Sequence, residues 1–166
     1  MRRYDVVPSP VDDLLLIADD EALTRVVFAG HTVPSSECGP RCDADDRVLG
    51  TARAQLLEYF AGTRTRFDLP LHTDGNEFDT AAWHALADIP YGTTITYGDL
   101  AGRLGDRRLA QRVGQSVGRN PIAVVLPCHR VVGADGTLTG FGGGLDRKRI
   151  LLDLEEPSAD VAMRLF

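Results

Sequence analysis

Pro127-Cys128-His129-Arg130 carries the most pointed chemistry in this 166-residue sequence: a soft nucleophile followed directly by an imidazole and a guanidinium. A free thiol has a pKa of about 8.5, so little of it is the reactive thiolate at neutral pH, and a base must help it. His129 is the nearest base. A carboxylate behind its ring would fix the tautomer and stabilise the cation, as in cysteine and serine triads. Taken alone, Cys128 is equally consistent with a small buried hydrophobe, the state of most free cysteines. Residues 122–126 just upstream are continuously apolar, rich in β-branched side chains and bounded by Pro121 and Pro127. They predict a buried strand that Pro127 ends, leaving Cys128 at the strand terminus. Neighbours on an extended strand point to opposite sides, so direct contact between Cys128 and His129 would be geometrically harder than contact through an intervening group.

The elements that must hold this stretch fall into two groups. Residues 4–7, 14–18 and 23–28 are short apolar runs separated by Pro8-Ser9-Pro10 and Asp19-Asp20-Glu21, the pattern of an antiparallel meander. Residues 31–46 read as a polar loop. From Arg47, the residues Val48, Leu49, Ala52, Leu56, Leu57 and Phe60 recur at helical spacing before Gly62, and residues 67–71 read as a further strand. His72-Thr73-Asp74-Gly75 is a turn-like linker. The expected fold is α+β: a small N-terminal α/β domain, residues 1–74, structural and without evident chemistry, then a mostly helical C-terminal domain, residues 75–166. In the second domain, residues 78–89 predict a helix with Trp83 and Leu86 inside, and Thr96 with Asp99 forms a capping box for the next helix. Gly105-Asp106 then turns the chain into a helix over about 107–117. Two short helices joined by a tight Gly turn make a helix-turn-helix, which in many proteins enters a DNA groove and in many others only packs. On its second helix Ala110, Gly114 and Gly118 recur every four residues, although Gly114 costs about 1 kcal/mol relative to Ala. The flat face this makes suits a neighbouring helix or a narrow groove. A last helix starts after Leu145, with Asp146 in its first turn, Ile150, Leu151 and Leu154 inward and Glu155 at its end.

A net charge of −6 argues against a nucleic-acid partner until its distribution is considered. Residues 90–152 hold nine Arg and Lys against four acids, a net +5, while the rest of the chain carries −11. Such asymmetry fits one part meeting phosphate, and fits an ordinary solvated surface as well. No apolar run approaches the roughly 18 residues of a membrane span, and the N-terminus lacks the apolar centre of a signal peptide. Three cysteines do not make a disulfide framework, so a cytoplasmic monomer without membrane contact is expected. Cys38 and Cys42, with His31 and either His72 or His84, raise the question of a structural zinc site. A lone Cys pair in a Gly-Pro loop is a weak signal for it. Free thiols and no cofactor are the expectation.

Asn120-Pro121, the apolar run, Pro127-Cys128-His129-Arg130-Val131-Val132, Gly136, Leu138, Gly140 and Gly142-Gly143-Gly144 together resemble, in order and spacing, the O6-alkylguanine-DNA alkyltransferases, also called methylated-DNA–protein-cysteine methyltransferases. The resemblance covers residues 78–155. It implies that Cys128 accepts the alkyl group of O6-alkylguanine, and also of O4-alkylthymine, from double-stranded DNA after the base flips out. The transfer would be irreversible, so each molecule would act once. It further implies a cysteine, water, His129, Glu155 network, Tyr97 as proton donor to the leaving guanine, Asn120 as brace of the junction, and Arg130 as a structural bridge. Tyr97, Leu138, Phe141, Gly142 and Gly143 would line the base pocket. Ala110, Gln111, Arg112, Gly114 and Arg119 would meet DNA through the minor groove. From the residues alone, Glu155 would be a solvated helix-end acid and Tyr97 a core tyrosine.

One position departs from the family pattern. Relatives usually carry an arginine seventeen residues before the cysteine to fill the space of the flipped base; here that residue is Gln111. Arg112 follows, but adjacent helical positions point about 100° apart. Two other readings use the same residues: a cysteine hydrolase or acyltransferase, which would turn over, and a non-catalytic sensor of alkylated DNA, which would bind without changing.

Overall fold

A computed structural model describes residues 1–42, 45–136 and 144–156. Leu138, Phe141, Gly142 and Gly143, expected to line the base pocket, lie outside the described residues. Strands β1 (Arg3–Val7), β2 (Leu14–Ala18) and β3 (Leu23–Phe28) form the expected antiparallel meander in the order β1-β2-β3. Tyr4 pairs with Ile17, and Leu16 with Val26. The loop after β3 contains one short helix, α1 (Ser35–Cys38).

Helix α2 (Arg47–Phe60) begins where the Asp46 carboxylate accepts the Leu49 N–H, and it packs against all three strands. Its buried face carries Leu49, Ala52, Leu56 and Tyr59, whereas Leu57, expected inside, is 41% exposed. The 3.6-residue repeat puts position 59 in line with 52 and 56, and 57 off that line. Residues 67–71 do not form the expected strand. Leu23 N–H donates to Pro70 O and His72 N–H donates to Leu23 O, which makes one isolated bridge at Leu71. Pro70 has no N–H with which to extend it.

Helix α3 (Glu77–Leu86), capped by Asn76, stops short of residue 89, and Ile89 is buried beyond its end. The capping box at Thr96 and Asp99 is present at the start of α4 (Tyr97–Arg103). Gly105, at φ +116°, makes the turn, and a 3-10 turn (Arg107–Leu109) leads into α5 (Ala110–Gly118). The Trp83 indole donates to Ser116 O at 2.8 Å and so ties α3 to α5. One pairing has no local sequence signal: β4 (Ile95–Thr96) runs parallel to β5 (Val131–Val132), joining the entrance of α4 to the end of the cysteine segment.

Residues 122–126 are buried, as expected, but they turn instead of forming a strand. Only Ile122 bridges β3, at Val26; Val124 adopts φ +69°, and the Leu126 N–H returns to Ile122 O at 2.9 Å. A β-branched residue in that region costs on the order of 1–3 kcal/mol, so the surroundings must over-determine it. Continuous apolarity reports burial and not backbone type, which is why the two were confounded. Helix α6 (Leu145–Glu155) buries Lys148, Leu151 and Glu155, while Ile150, expected inside, is 39% exposed. Among the described residues no helix is long and apolar enough to cross a membrane.

Candidate active site

Cys128 opens a 3-10 turn (Cys128–Arg130) and does not end a strand. Successive side chains in such a turn diverge by about 120°, so the expected strand alternation between Cys128 and His129 does not apply. Both are buried, Cys128 at 7% exposure and His129 at 0%. Asn120 fastens the segment before them: its amide donates to Leu126 O at 2.8 Å, and its carbonyl accepts the Ile122 N–H at 3.0 Å.

Glu155 is not a solvated helix-end acid: it is 2% exposed and receives four hydrogen bonds. His129 Nε2 lies 2.6 Å from its Oε2, Arg130 Nε 2.7 Å from Oε1 and Arg130 Nη2 3.0 Å from Oε2, and the Tyr59 hydroxyl donates to Oε2 as well. Arg130 also donates to Ile89 O at 2.6 Å, so while gripping the carboxylate it ties the stretch after α3 to the end of α6, both within the C-terminal half. A carboxylate at a helix C-terminus faces an unfavourable dipole. Burial too would raise its pKa, yet the hydrogen bonds from His129 and Arg130 override burial and bring it down to about 2. Glu155 is therefore a fixed anion across the physiological range.

That anion sets the state of the histidine. Nε2 is engaged by Glu155, whereas Nδ1 is buried and has no hydrogen-bond partner among the described residues. Burial pulls the imidazole below its ordinary pKa of 6.5, with Glu155 opposing, so at neutral pH the ring is a neutral base with a free lone pair. Burial likewise pushes the Cys128 thiol up, against a side-chain hydrogen bond from Asn120 and the charge of Lys148. The resting sulfur is thus protonated, and it would have to lose that proton to act as a nucleophile.

Two groups here escaped the sequence reading. Lys148 is fully buried, donates to Val131 O at 2.7 Å and lies 6.0 Å from the Tyr97 ring centre; burial pulls its ammonium below the ordinary value. Tyr59 is supplied by the half of the chain expected to carry no chemistry. Neither has a local signal, since a lysine in Arg147-Lys148-Arg149 and an aromatic on a helix face both read as ordinary. Tyr97 is half-buried beside Lys148, at the start of α4. A cleft of about 380 Å³ between β3 and the end of α5 reaches Cys128, with Arg25, Phe28, His31, Arg119 and Asn120 on its walls.

Of the residues expected at DNA, Gln111 and Arg112 are exposed, and Ala110 and Gly114 are partly so. The Arg112 guanidinium lies over the Phe78 ring at 3.9 Å, on the α3 side of α5. Arg119 ion-pairs with Asp79 at 2.8 Å, which orients α5 on α3. A Cβ added at Gly114 would meet only the Tyr97 ring, at 3.7 and 3.8 Å, and one at Gly118 would meet nothing. Internal packing therefore does not require these glycines. Cys38, Cys42 and His31 do not come together with a further ligand: among the described residues no three His, Cys, Asp or Glu side chains form a group that could hold a metal.

The chain matches two family models. Residues 77–157 match the 6-O-methylguanine DNA methyltransferase, DNA binding domain, and residues 2–73 match the ribonuclease-like domain of the same enzymes. The methylated-DNA–protein-cysteine methyltransferase of Mycolicibacterium paratuberculosis is 44% identical over 166 residues, 100% of this chain and 99% of its own. That of Methanosarcina acetivorans is 42% identical over 156 residues, 92% of this chain and 97% of its own. Among solved structures, the Mycobacterium tuberculosis O6-methylguanine methyltransferase superposes with a TM-score of 0.84 at 40% identity, covering 99% of both chains. The Mycobacterium tuberculosis OGT in complex with DNA gives 0.85 at 40% identity, over 98% of this chain and 99% of that one. With its full length matched, this chain belongs to the 6-O-methylguanine DNA methyltransferase family.

Proposed function

We propose that this chain repairs alkylated DNA by moving the alkyl group from O6 of guanine to Cys128, irreversibly and once per molecule. The observation that carries the proposal is the buried Glu155–His129 pair in the turn that holds Cys128. As the alkyl carbon arrives, the thiol proton passes to His129 Nδ1, directly or through water. The sulfur then attacks in line: the S–C bond forms, the C–O6 bond breaks and its electron pair leaves with guanine. Tyr97 donates a proton to the base and recovers one from the histidine, so the products are S-alkylcysteine and neutral guanine. A thioether offers water no carbonyl to attack, which explains the lack of turnover.

A base inside a duplex cannot reach a buried sulfur, so flipping is required. The two helices α4 and α5 serve as the helix-turn-helix, and α5 enters the minor groove with Ala110 and Gly114 against the DNA. The absence of any internal packing demand for Gly114 and Gly118 supports this, as does the DNA complex of the Mycobacterium tuberculosis relative. Gln111 fills the gap left by the flipped base. Arg112 approaches the phosphates from the Phe78 side, and Arg119 acts through Asp79 as much as through DNA. The protein works as a cytoplasmic monomer, with residues 75–166 as acceptor domain and residues 1–74 as its support.

The test is incubation with a duplex containing O6-methylguanine, followed by mass analysis of the peptides. One methyl is expected on the Cys128 peptide and on neither the Cys38 nor the Cys42 peptide. Binding with Cys128 unmodified would refute the proposal in favour of a sensor, and steady turnover of an acyl substrate would favour a hydrolase.

A further inference from the structure

Tyr59 is fully buried on helix α2, its ring packed against Phe60, Phe67 and Tyr91 at centroid distances of 5.1, 5.4 and 6.2 Å. Phenylalanine would make all of these contacts. The hydroxyl needs a separate reason, because a buried polar group without a partner costs roughly 1–3 kcal/mol. Its partner is Glu155 Oε2, the oxygen that also receives His129 Nε2 and Arg130 Nη2, while Oε1 receives Arg130 Nε. Each carboxylate oxygen offers about two acceptor sites, and three of the four donors crowd onto Oε2 while one reaches Oε1. The carboxylate cannot turn without losing one of these bonds, and the imidazole it faces is held with Nδ1 directed away from it.

We propose that Tyr59, from the N-terminal half of the chain, is a positioning residue for the alkyl transfer: it fixes Glu155 against His129 and sets how strongly that carboxylate draws a proton onto the ring. The inference rests on the function proposed above. It gives the N-terminal half a part in the chemistry, through a contact spanning 96 residues of sequence. Burial first, then the charge of Glu155, pushes the phenol well above its ordinary value, so Tyr59 remains a donor at every relevant pH. The other charged or titratable groups around the pair are Arg130 and Cys128 from the same turn, Lys148 from α6, and Tyr91, whose hydroxyl donates to Leu154 O at 3.3 Å. Arg66 and Asp88 line the neighbouring cleft with Arg130 and Tyr91.

The direction of the effect follows from the charge on Oε2. Without the hydroxyl that oxygen carries more uncompensated negative charge, the imidazolium beside it is stabilised, and His129 takes up its proton at higher pH. The acid limb of the transfer rate, below which His129 no longer accepts the thiol proton, therefore moves upward. A strengthened donor at position 59 moves it downward. Loss of packing alone would lower stability without moving the limb.

The experiment is single-turnover transfer from an O6-methylguanine duplex over about pH 5 to 9, the range that brackets an imidazole titration. Full-length parent, Tyr59→Phe and a protein with 3-fluorotyrosine at position 59 are compared, with thermal unfolding and duplex affinity measured alongside. For Tyr59→Phe the limb should rise by about half to one pH unit, the scale of one lost hydrogen bond to a neighbouring charge, with duplex affinity unchanged. Fluorotyrosine keeps the packing and sharpens the donor, so its limb should fall; this arm remains informative if Tyr59→Phe folds poorly. An unmoved limb in both proteins overturns the inference, whatever happens to stability. A parent that transfers no methyl at any pH overturns the proposed function instead.

Discussion

Replacing Glu155 by Gln removes one charge and keeps the shape, so its consequences can be worked out from the four hydrogen bonds that converge there. All four partners are donors: His129 Nε2, Tyr59 Oη and two nitrogens of Arg130. The amide of Gln offers one acceptor oxygen and one NH₂, which must face a donor. At least one buried pair is then unsatisfied, and Arg130 is left as a buried cation without a counter-charge. Breaking a buried ion pair from one side costs about 3–5 kcal/mol. The lowering of the Glu155 pKa to about 2, where the hydrogen bonds from His129 and Arg130 override burial, points the same way. Because the folded carboxylate has the lower pKa, this stability is complete above about pH 4.5 and is lost as pH falls towards 2. Urea unfolding of parent and Glu155→Gln should differ by about 3 kcal/mol at neutral pH, and the difference should close in acid. Transfer from the duplex should slow by about 10²–10⁴-fold, the usual weight of a positioned acid–base group, while duplex affinity stays the same. A variant within about 0.5 kcal/mol and twofold of the parent would refute the reasoning and remove Glu155 from the mechanism.

Two further perturbations test the DNA face. Gln111→Arg should speed repair in duplex DNA with little gain on free O6-benzylguanine, which needs no flipping, since arginine adds the charge and the planar stacking surface that glutamine lacks. Arg112→Ala should chiefly weaken binding and flatten its salt dependence; if transfer at saturating protein vanishes while binding survives, Arg112 is the inserted residue and the assignment to Gln111 is wrong. Gly114→Ala should raise the stability of the free protein by up to about 1 kcal/mol, because the new methyl meets only the Tyr97 ring at ordinary contact distance. The same change should weaken duplex affinity, and an unchanged affinity would remove α5 from the groove.

The meander, most of the face of α2, the capping box at Thr96 and the cysteine with its adjacent imidazole were legible in the sequence, though the α2 reading put Leu57 inside and passed over Tyr59. Each depends on a few consecutive residues, where alternation, 3.6-residue spacing and cap chemistry act locally. The order of the glycine and proline motifs around Cys128 carried the family. Tertiary structure decided how the groups around the cysteine are held. Residues 122–126 announced burial but not the turn that Val124 and Asn120 impose. Arg119 was expected at DNA from the resemblance, and its ion pair with Asp79 had no local signal. The groups on Glu155 lie 25, 26 and 96 residues away along the chain; the family resemblance paired Glu155 with His129, but nothing local in the sequence added Arg130 or Tyr59 to the same carboxylate. Lys148 and the Tyr59 hydroxyl stand on helix faces where lysine and tyrosine are commonplace. Their roles come from what packing brings opposite them, and from the exclusion of water, which makes each buried polar group find a partner or cost the fold its stability.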